Sequence, residues 1–149
     1  MRIQIIGINH GFQRIRDHLS YDFQVLQDIL VERVIILIKE KQTELLSEEY
    51  SFEALDIYHD KKTILQQLSE TNGIDHLFCD PNTNERALLR FASADEAPHR
   101  PREEEWLRRL KLKNVHNGSI IFLCGYDHVS SFCTLCINDG NDVLSEVIR

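Results

Sequence analysis

The 149-residue sequence lacks the features of secreted, membrane-spanning and nucleic-acid-binding proteins. Its four cysteines, three prolines and six glycines are too few for a disulfide scaffold or a low-complexity chain. Its apolar runs are short, since the dense run at residues 34–38 has five residues, whereas a helix needs ~20 to span a bilayer. Positive charge is also scarce, with 17 basic against 24 acidic residues and a net charge of −7. No nucleic-acid partner is expected, because neutralising phosphates needs a basic surface.

The amino-terminal residues lack the pattern of a secretion signal. The apolar stretch within residues 1–6 is shorter than a signal h-region, and no small-residue cleavage site follows it. We therefore expect a cytoplasmic protein with no membrane partner and with reduced cysteines. Cys133 and Cys136 have the spacing of a redox or metal pair, but they fall in an apolar segment with helical spacing. Packing inside a helix is the favoured interpretation of both.

The sequence does contain short apolar runs that alternate with amphipathic segments. Strands are predicted at residues 2–6, 44–47, 74–79, 119–124 and 142–148. Between them, one helix is predicted to be capped by Ser20, and another to be capped by Asp60 and to end at Gly73. Two more are predicted to begin near Pro101 and to cover residues 129–138. The alternation predicts an α/β fold, a mainly parallel sheet of about four to five strands flanked by helices in three layers. No linker or repeat is visible, so residues 1–149 are interpreted as a single domain.

Polar residues follow four of the predicted strands. The first and fourth strands run into Gly-x-x-His motifs, at residues 7–10 and 125–128, while the second runs into Glu48 and the third into Asp80. The carboxyl ends of parallel strands share an edge, where open α/β folds bind ligands. If the first and fourth strands pair side by side, both histidine loops come together there. Imidazoles and carboxylates at one edge are typical of metal sites and of general acid–base catalysis.

Several residues near these strand ends are candidates for the site. The second strand ends at Glu48 and Glu49, and Glu48, the nearer of the two to the strand, is expected to face the two histidines, whereas Glu49 is a candidate for substrate binding. Asp80 and Arg86 are further candidates, since an arginine holds an anionic group or orients a carboxylate. Gln13 is close enough to the first motif to join the site. Purely structural roles stay open as alternatives: a turn at Asp80, a surface salt bridge at Arg86, and histidines that only form hydrogen bonds within their own loops.

The order of these motifs resembles a known superfamily. It joins Tiki-type proteases, TraB-type proteins, erythromycin-esterase-like hydrolases and ChaN-like haem-binding proteins. Its signature is two Gly-x-x-His motifs with a glutamate or glutamate pair between them, here Gly7/His10, Glu48/Glu49 and Gly125/His128. The resemblance covers nearly the whole chain in order, and the chain is similar to a short bacterial-type member without the inserted helices that form substrate clefts.

The resemblance implies a hydrolase that uses activated water on an ester, amide or related bond of a small-molecule or peptide substrate. In one version, His10, Glu48 and His128 bind a divalent ion (Mn, Co or Zn) that lowers the pKa of the water. In the other, a histidine is the general base and Glu48 orients it. A different class is also implied: a non-catalytic module that binds or senses a small molecule or haem, with His10 or His128 as axial ligand.

Overall fold

The computed structural model describes residues 1–15, 19–90, 99–115 and 117–149. Within these ranges one five-stranded sheet is formed by β1 (Arg2–Ile8), β2 (Thr43–Glu48), β3 (Asp75–Phe78), β4 (Ser119–Gly125) and β5 (Asp142–Val147). All neighbouring strands are parallel, and their order is β3-β2-β4-β1-β5. The two strands that precede the Gly-x-x-His motifs are therefore neighbours, with Ile8 paired to Gly125 in the register.

Helices lie on both faces of this sheet, which confirms the predicted three-layer α/β fold. They are α1 (Tyr21–Lys41), α2 (Phe52–Tyr58), α3 (Ile64–Asn72), α4 (Thr83–Leu88), α5 (His99–Leu112) and α6 (Val129–Asn138). Single 3₁₀ turns at His10–Phe12 and Tyr126–His128 contain the two motif histidines. No helix in the described ranges is long and apolar enough to cross a membrane.

Two apolar layers hold the helices against the sheet, because successive side chains of a strand point to opposite faces. One layer packs α5 and α6 on the sheet through buried residues that include Trp106, Leu110, Phe132, Ile5, Leu45 and Phe122. The other packs α1 and α3 through residues that include Leu30, Val34, Leu65, Ile6, Leu46 and Leu123. This alternation also decides which way the last side chains of β2 point.

The predicted helix starts and stops are mostly confirmed. Ser20 is the N-cap of α1, and its side chain accepts a hydrogen bond from the Phe23 N–H. Gly73 ends α3 in the left-handed region, at φ 65°. The prediction that Asp60 caps this helix is wrong, because Thr63 is the N-cap and its hydroxyl accepts from the Gln66 N–H at 3.1 Å. A cap must directly precede the first helical residue, and Asp60 lies too far from Ile64.

Two short helices, α2 and α4, were not among the predictions. Each starts at a good cap: Ser51 for α2, and Asn82 with Glu85 in a capping box for α4. Neither has the apolar periodicity of a longer helix. In α6, Cys136 is fully buried, which confirms its interpretation as packing, and Cys133 is half-buried beside the same core.

Candidate functional site

The two Gly-x-x-His motifs meet at the carboxyl edge of the sheet, on either side of one carboxylate. Nε2 of His10 lies 3.5 Å from Oε2 of Glu49, and Nε2 of His128 lies 3.4 Å from its Oε1. The prediction that the two histidine loops come together at one edge is confirmed. The carboxylate between them belongs to Glu49, the first residue after β2.

The prediction that Glu48 faces the histidines is wrong, and the pleat gives the reason. Glu48 lies on the same face of β2 as Leu46, so its side chain points toward the layer of α1 and α3. There it is fully buried and accepts hydrogen bonds from Gln13 Nε2, Thr63 Oγ1 and His76 Nε2. Its contact with the site is indirect, through Gln13.

His10 is the exposed member of the pair, with 47% of its side chain accessible to solvent. Its Nδ1 lies 2.8 Å from Oε1 of Gln13, whose Nε2 donates to the Glu48 carboxylate. Because a carboxylate only accepts, the Gln13 amide must turn its oxygen to His10, and His10 must donate from Nδ1. In the neutral ring, the lone pair is therefore on Nε2, which is the atom beside Glu49.

His128 is the buried member, with 7% of its side chain exposed. Its Nδ1 lies 2.9 Å from Oε1 of Glu103, which also accepts from the Ser131 hydroxyl. The ring packs edge-on against Trp106, at 4.9 Å between ring centres. His128 is thus held by a carboxylate on one side and an indole on another.

Glu49 is the central charge of the site. It is buried, and it accepts hydrogen bonds from Arg102 Nη2 at 2.7 Å and from the Gly125 N–H at 2.9 Å. Burial raises its pKa, but the hydrogen bond and charge of His10, with the charges of His128 and Arg102, outweigh burial and lower the pKa to about 2. Glu49 is therefore a carboxylate at neutral pH.

The same contact acts on His10 in the opposite direction. Burial lowers the pKa of His10, whereas the hydrogen bond and negative charge of Glu49 raise it, and the net result is a pKa above the ordinary 6.5. The carboxylate therefore stabilises the imidazolium that forms when His10 takes up a proton as a general base.

The predicted substrate-binding residues lie together beside this carboxylate. Asp80 accepts hydrogen bonds from Arg102, from Trp106 Nε1 at 3.2 Å and from Arg86, whose Nε also donates to the Pro81 carbonyl. Arg102 bridges Asp80 to Glu49. Arg86 therefore orients a carboxylate, one of the two roles foreseen for it, and substrate binding by these residues stays a prediction.

The two motif glycines make room for each other's motif. A Cβ on Gly125 would lie 2.8 Å from Nε2 of His10, closer than side chains normally approach. A Cβ on Gly7 would lie 2.3 Å from Cγ2 of Val129 and 3.1 Å from Cα of Tyr126. Each glycine is needed because the opposite motif closes on its backbone.

A cleft of about 400 Å³ opens beside His10 and Glu49. Its wall includes Ala54, Ile57 and Tyr58 of α2, and its charged lining includes Arg86 and Arg102 as well as Asp80. His128 is not among the described residues that line it. Only the first of the two motif histidines therefore faces the space in which a small molecule would bind.

The predicted metal ligands, His10, Glu48 and His128, do not fit together around one ion. Glu48 points away, and the Arg102 guanidinium already supplies a positive charge to Glu49 at 2.7 Å. Two imidazoles and Glu49 are of the right chemical kind for zinc, cobalt or manganese. However, the described residues contain no group of three His, Cys, Asp or Glu side chains placed to hold an ion.

Several site residues were not identified from the sequence. The sequence analysis assigns no role to Arg102, Glu103 or His76. A signal for His76 does exist, because residues 73–76 form a third Gly-x-x-His. In that copy the glycine precedes a strand, β3, instead of following one, so the pattern sought at strand ends does not include it.

Comparison of the chain with family models, curated proteins and solved structures finds no match. The resemblance to the Tiki, TraB, erythromycin-esterase-like and ChaN-like superfamily therefore stays a prediction, as does haem binding.

Proposed function

We propose that this protein is a hydrolase in which His10 is the general base for a water molecule in the cleft beside Glu49. The observation that carries the proposal is the hydrogen-bond chain from Glu48 through Gln13 to His10 Nδ1, which leaves Nε2 as the basic atom at the cleft. This is the metal-free version of the predicted hydrolase, with Glu48 orienting the histidine through an amide.

The chain's own residues supply the steps of such a reaction. Water bound at His10 Nε2 gives its proton to that nitrogen as its oxygen attacks the carbonyl of an ester or amide. Glu49, 3.5 Å from Nε2, stabilises the imidazolium that forms. Arg102 lines the cleft and carries a fixed positive charge that favours the developing oxyanion. The imidazolium then returns its proton to the leaving group.

The other residues of the site have positioning roles in this proposal. His128 contacts the second oxygen of Glu49 and is itself fixed by Glu103. The Gly125 N–H fixes the oxygen of Glu49 that faces His10. The carboxylate is thereby held in place before any substrate enters, and a charge that is already oriented costs no reorganisation during reaction.

Hydrolysis of a panel of esters, lactones, amides and short peptides tests the proposal. Wild-type protein is expected to turn over at least one class, and His10→Gln is expected to lose about 10²- to 10⁴-fold of that rate, the usual contribution of a general base. His59→Asn is the matched control, because His59 is exposed and lies outside the cleft lining. Absence of turnover across the panel, or turnover that His10→Gln does not change, would overturn the proposal.

A further inference from the structure

Glu48 joins two histidines that lie on different sides of β2. Its Oε2 accepts from Gln13, which leads to His10 in the cleft, and its Oε1 lies 2.7 Å from Nε2 of His76 on the edge strand β3. His76 is largely buried and is not among the described residues that line the cleft. Two residues, Glu48 and Gln13, nevertheless connect it to His10 through hydrogen bonds.

The hydrogens along this chain can be assigned from chemistry. Thr63 Oγ1 accepts from the Gln66 N–H, so its own hydrogen is directed to Glu48. Gln13 donates to the other oxygen. If His76 donates as well, Glu48 is an acceptor in every one of these contacts, and the Gln13 amide has one orientation that satisfies it.

The geometry points to His76 as a positioning residue that fixes the tautomer of His10 through Glu48 and Gln13. The inference rests on the proposed function only in taking the Nδ1–H tautomer of His10 as the reactive one. His76 is suited to this role because its ring is fixed edge-on against Phe78, at 4.5 Å between ring centres, with Nε2 on the carboxylate.

Loss of the His76 donor should reverse the direction of the hydrogen bond between Gln13 and His10. Without His76, Oε1 of the fully buried Glu48 keeps only the Thr63 hydroxyl as a donor, and a buried oxygen with too few donors turns toward another. That rotation moves Oε2 away from Gln13 Nε2, so the Gln13 amide is no longer held with its oxygen toward His10. When the amide turns its N–H groups to His10 Nδ1, His10 must accept there and carry its hydrogen on Nε2, where it can no longer take a proton from water.

Nitrogen-15 NMR of the histidine rings tests this inference. In His76→Phe, the neutral His10 ring is expected to move from the Nδ1–H to the Nε2–H tautomer, and turnover is expected to fall about 10- to 100-fold, as for other outer partners of functional histidines. His76→Gln should restore both, since its amide N–H can replace Nε2–H. His59→Asn controls for loss of an unrelated histidine, and His10→Gln assigns the His10 signals.

The wild-type spectrum provides a test that does not depend on any variant folding. The inference requires the neutral His76 ring to carry its hydrogen on Nε2, and a wild-type His76 with hydrogen on Nδ1 would overturn it. A folded His76→Phe protein whose His10 tautomer is unchanged would also overturn it, whatever its turnover. In contrast, a tautomer switch in His76→Phe, combined with no turnover by wild-type protein on the substrate panel, would support the link from His76 to His10 and reject the hydrolase.

Discussion

The two Gly-x-x-His motifs end neighbouring strands and approach the same carboxylate, yet their histidines have different surroundings. His10 is 47% exposed, lines the cleft and is held by a neutral amide, Gln13. His128 is 7% exposed and is held by a carboxylate, Glu103. The motif therefore fixes where an imidazole lies, while the groups around it decide its role.

The difference begins in the residues that follow each motif. His10 begins a single 3₁₀ turn, which places Gln13 at its end with the side-chain oxygen on Nδ1 of His10. His128 is followed directly by α6, which packs against α5 and so covers the ring with Glu103 and Trp106. We expect the first histidine to determine reaction rate and the second to determine the stability of the site.

The largest expected effect is that substitution of His10 mainly lowers the reaction rate, whereas substitution of His128 mainly lowers the stability of the fold. His10→Ala should lower turnover about 10²- to 10⁴-fold, with a smaller effect on unfolding because Glu49 keeps Arg102 and the Gly125 N–H. His128→Ala should lower the free energy of unfolding by about 2–5 kcal/mol, because it removes a buried ring that packs on Trp106 and takes a hydrogen-bond partner from the buried Glu103.

Turnover on the substrate panel and urea unfolding of both variants would measure this separation. If His128→Ala kept its full stability but lost turnover as completely as His10→Ala, the two motifs would be equivalent and the comparison would fail.

The second prediction concerns Glu49, which both motifs share. Its pKa is lowered to about 2 in the fold, so its contribution to stability is present above pH 4.5 and is lost as the pH falls toward 2. The shift corresponds to on the order of 3 kcal/mol. His10 has the opposite sign: its pKa is raised, so its contribution is complete below pH 6.5 and is lost as the pH rises through the raised value.

The free energy of unfolding of wild-type protein should therefore decrease toward acid pH and again as His10 loses its proton. Both decreases should be smaller in Glu49→Gln. The same variant should move the rising limb of the rate profile to lower pH, because His10 loses the carboxylate that raises its pKa. Glu32→Gln, an exposed position on α1, is the control. If the free energy of unfolding fell equally steeply at acid pH in wild-type protein and in Glu49→Gln, Glu49 would not be the charge that His10 and His128 share.

A third, smaller difference between turnover and stability is expected for the two motif glycines. Gly125→Ala should displace the half-exposed His10 ring and lower turnover about 10²-fold, as a misplaced base does. Gly7→Ala meets Val129 and the Tyr126 backbone, so it should lower the free energy of unfolding by about 1–3 kcal/mol. Gly73→Asn is the control for turnover: Gly73 lies outside the cleft lining with open space for a Cβ, and asparagine is the non-glycine residue most often found in its left-handed conformation, at φ 65° and ψ 34°. Equal losses of turnover and stability in both variants would contradict the separation.

Much of this arrangement could be predicted from the sequence, because it follows from apolar periods and strand ends. The five strands and the common edge of their carboxyl ends follow from a parallel sheet. The pairing of β1 with β4, which brings His10 and His128 together, entered the prediction only as a condition, and the structure fulfils it. The choice between Glu48 and Glu49 could not be made, because it depends on where β2 stops and on which face its last residue points. A shift of one residue exchanges the two carboxylates.

The long-range partners of His128 and Glu48 could not be predicted from the sequence for a different reason. Glu103 reaches His128 from a helix 25 positions earlier in the chain, and His76 reaches Glu48 across 28 positions. Both are tertiary contacts that leave no local period in the sequence. Thr63 is similar, since its role as the cap of α3 is a local signal but its hydrogen bond to Glu48 is not.

The smallest expected effect is that of a chelator, and it bears directly on the comparison. A bound ion would make the two motifs alike, because both Nε2 atoms would be its ligands together with Glu49. With Arg102 already on Glu49 at 2.7 Å and His10 acting as the base, turnover after EDTA treatment and buffer exchange is expected to match that of untreated protein. Loss of turnover that Mn, Co or Zn restores would contradict this expectation. Arg102→Met would then sharpen the result, because removing the guanidinium from Glu49 should tighten metal binding if the cation and the ion compete for the same carboxylate.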